Sequence, residues 1–171
     1  MAVVVAVALL AVAMPTLDDA RDDTTAERLD AEAERLERQV GALAADSVAV
    51  AEPALAARAT VTVRVPHGLT ASRVERAAIG DPALMDDVSA DAAVPNNGGS
   101  SPTDADSSPP EVAFVYRLAG TEPRVVPLSS PHVPTVEVVG GPIRLRTGGE
   151  SRLRLTLVDD GGPTVRIARV G

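Results

Sequence analysis

Residues 1–17, MAVVVAVALLAVAMPTL, carry no charged side chain, and the chain then turns abruptly to Asp18 and Asp19. A run that is apolar on every face has to be buried somewhere, whether in a membrane, a secretion route or a protein core. A bilayer span needs ~20 apolar residues, with ~17 as the lower limit. The run therefore sits at that limit, and Pro15 interrupts it. A secretory signal fits its shortness and the small-residue pattern Ala11-Val12-Ala13, which resembles a cleavage site. No Arg or Lys precedes the run, which a start codon upstream of Met1 would explain. Arg21 and Arg28 follow it, so basic flanks do not fix its orientation. The expectation is a single N-terminal membrane anchor in residues 1–17 with the remainder outside the cell. Secretion after cleavage is the alternative, and a buried core helix is the third reading.

Composition sharpens the setting. The chain has no cysteine, which removes disulfides, thiolate metal sites, cysteine nucleophiles and cysteine-linked lipid anchors. All 16 basic residues are arginine, against 24 acids, for a net charge of −8. Such a balance keeps a protein soluble where salt screens its charges. With abundant Ala and Val it points to a GC-rich, extreme halophile, most simply a haloarchaeon. The charge is uneven: residues 18–46 hold ten acids and four arginines, residues 81–110 hold six acids and no base, and the rest is net positive. There is no strong positive field and no aromatic platform, since Phe114 and Tyr116 are the only aromatics, so nucleic-acid binding is not expected.

The periodicities give an α+β chain that is mainly β: an N-terminal apolar and then amphipathic helix, followed by an antiparallel β-sandwich or curled sheet of about eight strands in residues 58–171. Thr24 or Thr25 would cap a helix filling most of residues 18–46. Leu29, Ala33, Leu36, Val40 and Leu43 recur at helical spacing and form its packing stripe, placed on the β-domain or on a like helix of a neighbouring chain. The stripe spans just over two heptads, short of a coiled coil.

Residues 47–57 connect to a strand at 59–65, where Val61, Val63 and Val65 alternate with Thr60, Thr62 and Arg64. A second strand covers 73–79. Residues 81–110 form an acidic loop, expected to be disordered over 94–110 because turn formers, acids and prolines cannot offset the ordering entropy. Further strands are expected at 112–118 with Val112, Phe114, Tyr116 and Leu118 inward, at 124–128 as a proline-bearing edge, and at 136–139, 143–146, 152–158 and 164–170. The Gly-rich connectors 147–150 and 159–162 read as hairpin turns.

Chemistry-bearing motifs are sparse. His67 and His132 have no Ser or Cys partner motif, and Asp159-Asp160, Asp104 and Asp106 lack the spacing of a calcium loop. No catalytic residue, cofactor, metal or small-molecule substrate is expected, and the chain is not read as an enzyme. One constellation stands out. Strand alternation puts Arg144, Arg146, Arg152, Arg154 and Arg166 on the face opposite Leu145, Leu153, Leu155, Val165 and Ile167, which makes arginines cross-strand neighbours in need of counter-charge. This is the candidate interaction face.

The layout of an apolar segment running through Pro15 into a charged helix and then a β-domain resembles that of type IV pilins and pseudopilins, without their basic residue ahead of the run or early glutamate. The chain is also similar to small haloarchaeal proteins with an Ala/Val/Leu run, a junction like residues 15–21 (PTLDDAR), a helix like residues 28–37 (RLDAEAERLE) and a Gly-rich β-meander. That resemblance implies an accessory product of an archaeal pilus or secretion locus, with other proteins of such loci as partners. The leading expectation is therefore a membrane-tethered accessory or pilin-like component of a surface appendage. The alternative is a secreted or tethered binding module using the arginine face.

Overall fold

The computed structural model describes residues 2–68, 70–85, 112–129 and 135–170, with side chains from residue 17 onward. The chain begins with one long helix, α1 (Ala2–Ala45). The expected capping threonines do not start it. No Gly or Pro lies between Pro15 and Gly41, so nothing in the backbone stops the helix from extending upstream. The Thr24 and Thr25 hydroxyls instead donate to the carbonyls four residues back, Ala20 at 2.8 Å and Arg21 at 2.7 Å. Pro15 falls inside the helix rather than at its boundary and leaves one turn without its usual N–H donor. Among the described residues no helix is long and apolar enough to cross a membrane. The expected anchor at residues 1–17 falls almost wholly where side chains are not described.

Eight strands follow: β1 (Ala57–Arg64), β2 (Val74–Gly80), β3 (Ala113–Leu118), β4 (Arg124–Pro127), β5 (Thr135–Val138), β6 (Ile143–Arg144), β7 (Glu150–Asp159) and β8 (Pro163–Arg169). They form two four-stranded sheets, ordered β1-β7-β8-β5 and β4-β3-β2-β6. The chain is thus α+β, mainly β, with a two-sheet architecture. The pairings are antiparallel except β5 with β8, which run parallel. Pro127 sits on β4 at a sheet edge, where a missing donor costs no ladder bond.

The inner faces and the helix share one core. Leu29, Ala33, Leu36 and Val40 of α1 are buried with Val61, Val63, Leu153, Leu155, Leu157, Val165 and Ile167 of one sheet and Ile79, Phe114, Tyr116 and Leu118 of the other. Leu43 packs against the rim of this cluster. The stripe therefore packs on its own β-domain, against β1, β3, β7 and β8. Full burial of each such Leu or Val side chain stabilises by roughly 1.5–3 kcal/mol. The Phe114 and Tyr116 rings meet edge-on at 6.1 Å, the arrangement their quadrupoles favour.

Besides the helix start and the parallel β5–β8 pair, three further features depart from the pattern expected. Strand β3 is buried on both faces: Ala113 and Val115 pack outward with Ala78, Val125 and Met85 in a second, smaller cluster. Met85 reaches this position because Asp81 caps a single 3-10 turn (Pro82–Leu84), accepting a hydrogen bond from the Ala83 N–H, so the expected loop begins with ordered structure. Residues 86–111, including the stretch expected to be disordered, lie outside the described residues. The connector 147–150 is not a hairpin turn. β6 pairs with β2 and β7 with β1, so these residues carry the chain from one sheet to the other. Gly148, at φ +73°, makes that switch possible, since a side chain there would suffer left-handed strain. The 159–162 connector does close a hairpin, between β7 and β8.

Candidate functional site

Strand β7 lies second in its sheet, and its burial alternates from Glu150 to Leu157 before Val158 is buried as well. Leu153, Leu155 and Leu157 point into the core, while Arg152 and Arg154 stand on the outer face. Register places Thr60 opposite Arg154 and Thr62 opposite Arg152 on β1, with Ala168 opposite Arg154 on β8. Arg166 of β8 lies between Thr156 and Glu137.

The expected constellation is therefore divided. Arg152, Arg154 and Arg166 share the outer face of one sheet. Arg144 belongs to β6 of the other sheet, opposite Ala78, and Arg146 lies on the switch between sheets. Arginine-against-arginine contacts do not arise on this face, because threonine and alanine occupy the facing positions. Strand β1 adds two arginines to it, Arg58 and Arg64, which the sequence reading left aside. Their parity with Thr60 and Thr62 was visible, but that β1 borders β7 was not.

The charges on this face are unevenly matched. Arg166 binds Glu137 at 3.0 Å through Nε and Asp160 at 2.8 Å through a terminal nitrogen. Arg64 binds Glu150 at 2.8 Å, and that hydrogen bond raises its already high pKa. Arg58 donates to the Pro53 carbonyl at 2.8 Å. Arg152 and Arg154 form no ion pair or side-chain hydrogen bond among the described residues. Two exposed guanidiniums framed by threonine hydroxyls can take carboxylate or another anion by paired N–H donation.

A second polar group lies where α1 meets β3 and β4. Asp30, one residue past Leu29 of the stripe, accepts a hydrogen bond from the Tyr116 hydroxyl at 2.8 Å and pairs with Arg124 at 2.9 Å. Tyr116 is only 2 % exposed. Burial first, and then the bond to Asp30, push its phenol well above the ordinary tyrosine value. Nearby, the fully buried Thr25 hydroxyl also accepts from the Ser72 N–H at 2.9 Å, tying the helix to the β1–β2 connection. Sequence reasoning missed both ties. The signal for the first was a lone tyrosine on the inner face of a strand, since a buried phenol needs a partner.

Among the described residues no nucleophile, base and acid are brought together beside these groups. His67 is exposed and lines a cleft of about 340 Å³ with Ser72, Arg73 and Gly148, with no base or nucleophile paired to it. A cleft of about 520 Å³ runs beside β5, with Asp81, Glu137 and Asp160 on its walls. Two of those acids already pair with Arg166. Among the described residues no three acids or histidines gather as a metal site would require. His132, Asp104 and Asp106 lie outside the described residues.

No curated protein and no solved structure matches the chain. A family model described as a domain of unknown function, DUF7311, matches residues 1–170. With the match running from the apolar segment through the last strand, the chain belongs to the DUF7311 family.

Proposed function

We propose that this chain is a membrane-tethered structural protein: a β-sandwich mounted on its own N-terminal helix and held outside the cell, as an accessory or pilin-like component of a haloarchaeal surface appendage or secretion system. The observation that carries this reading is the continuity of α1. One helix joins the charge-free run of residues 1–17 to the stripe that fills the sandwich core. A 44-residue helix extends about 66 Å at ~1.5 Å per residue, and its buried stripe begins only at Leu29, beyond the apolar run. The acidic, lysine-free composition supports a high-salt setting.

Fractionation of a halophilic host expressing the full chain tests the proposal. The chain is expected in the membrane fraction, resistant to carbonate extraction, intact at its N-terminus by mass spectrometry and digested by protease added to whole cells. Recovery of the uncleaved chain in the soluble cytoplasmic fraction would refute it. Cleavage after Ala13 with release to the medium would establish secretion instead. A second reading, a binding module working through the outer sheet face, is favoured by the missing partners of Arg152 and Arg154.

A further inference from the structure

Among the described residues, Arg152 and Arg154 on the outer face of the β1-β7-β8-β5 sheet have no counter-charge, and α1 holds a row of negative charge in the same condition. Arg152 and Arg154 are two residues apart on a strand, which sets their Cα atoms ~7 Å apart on one face. On the helix, Asp19, Asp23 and Glu27 are exposed and spaced four residues apart, which lines them up at ~6 Å intervals. Of the other six helix acids, Asp18 pairs with Arg21, Glu32 with Arg35, Glu34 with Arg38 and Asp30 with Arg124, while Asp22 and Glu37, both only partly exposed, form no ion pair among the described residues. Asp19, Asp23 and Glu27 form no ion pair among the described residues. Each row is self-repelling when alone, since like charges at helical i,i+4 spacing or in close array on a sheet face destabilise the element that carries them.

One molecule cannot bring its own two rows together. Asp23 lines a cleft with Leu118, Thr121 and Arg124, on the side of the β3–β4 turn. Arg152 and Arg154 face outward from the other sheet. The helix between is fixed by its buried stripe and by the Asp30 and Thr25 ties.

We infer that this sheet face docks a second copy of the chain, seating Arg152 and Arg154 of one copy against Asp19, Asp23 and Glu27 of the next. The two row spacings agree within ~1 Å per step, so two guanidinium–carboxylate contacts form in register. Thr60 and Thr62 flank them with hydroxyls able to bond the remaining carboxylate oxygens. The contact is heterologous, each copy offering a different surface to its two neighbours, and such contacts propagate as a ring or an open row. The inference stands independently of membrane tethering, because both surfaces belong to the folded head and the adjoining helix.

The test uses charge-reversed full chains in non-ionic detergent, read by sedimentation velocity and light scattering. The wild-type chain is expected to self-associate most tightly at low salt and to weaken about tenfold toward 1 M salt, where the screening length falls to ~3 Å but directly touching guanidinium–carboxylate pairs keep a measurable association. The double variant Arg152→Glu/Arg154→Glu and the triple variant Asp19→Arg/Asp23→Arg/Glu27→Arg are each expected to stay monomeric. Mixing the two variants restores complementary rows at both surfaces, and association is expected to return to the wild-type level. Circular dichroism of each variant separates lost docking from lost folding. A wild-type chain monomeric at low salt overturns the inference, as does a folded double variant that associates normally or a mixture of folded variants that fails to associate. Binding of an acidic peptide to the face without self-association also overturns it, by assigning the face to another polyanion.

Discussion

The alkaline stability of this protein is expected to be governed by one side chain. The chain has no lysine, no cysteine and a single tyrosine. Between the α-amine and the arginines, Tyr116 alone titrates. In the folded state its phenol is buried and donates to Asp30, which holds its pKa well above the ordinary value of 10.0. In the unfolded chain it ionises near ~10. Above that pH the unfolded state binds fewer protons than the native state, so stability falls as pH rises, by about 1.4 kcal/mol per pH unit until the folded pKa is reached. The contribution is fully present below pH ~10, and about 2 kcal/mol of it is gone by pH ~11.5. Urea unfolding followed by circular dichroism at fixed salt, in half-unit steps across this range, would show a plateau and then the decline. Tyr116→Phe is expected to lower stability at neutral pH by about 1–3 kcal/mol, through loss of a hydrogen bond to a charged acceptor. It should also abolish the decline. Tyrosinate absorbance must appear late in the native chain, and it reports this residue alone. A wild-type curve flat to pH ~11.5, a variant that declines just as steeply, or native tyrosinate formed at pH ~10 would each refute the reasoning.

Other expectations follow from the same contacts. Leu36→Ala removes a fully buried stripe residue and is expected to cost about 2–5 kcal/mol in denaturant unfolding, whereas Leu43→Ala, at the rim of the core, should cost clearly less. Thr25→Val keeps the shape but leaves the Ser72 N–H without its acceptor, for an expected loss of about 1–3 kcal/mol, and Thr25→Ser should recover most of it. Gly148→Ala forces a side chain into left-handed backbone 3.2 Å from the His67 Cβ, so a loss of about 1–2 kcal/mol is expected in the same assay.

What was legible in the sequence was whatever repeats along a single element. The helix stripe, the inward Val112-Phe114-Tyr116-Leu118 set and the strand count all rest on local periodicity, and the structure places them as that periodicity directs. What depended on which strand meets which was not legible. The Gly-rich residues 147–150 look the same whether they fold a hairpin or carry the chain between sheets, and the choice decides whether Arg144 and Arg146 join Arg152 and Arg154. The switch of sheets also explains why β1, far away in sequence, contributes Arg58 and Arg64 to the face. Thr25 illustrates a different loss. Its composition signals a helix cap, but a threonine can equally return its hydroxyl to the preceding turn, and the flanking helix formers decide in favour of continuation.

The continuity of α1 has a mechanical consequence for any role at a surface. If the head folded separately from its tether, a flexible joint would let it reorient freely. Here Leu29, Ala33, Leu36 and Val40 contribute to the core that joins the two sheets, so the helix cannot be withdrawn without opening the sandwich. Four such side chains represent several kcal/mol of burial, comparable to the whole stability of an ordinary domain. Asp30 and Thr25 then fix the rotation of the helix about its axis, through contacts that tolerate only one register. Whatever positions residues 1–17 therefore also sets the direction in which Arg152 and Arg154 face. A change at Asp30 should for that reason disturb docking between copies, although Asp30 touches neither charged row. In Asp30→Asn the partly exposed Arg124 loses its counter-charge, the Tyr116 tie weakens, and self-association at low salt should fall while the secondary structure is retained. Association unchanged in that variant would mean that the head and the two rows do not depend on a fixed helix.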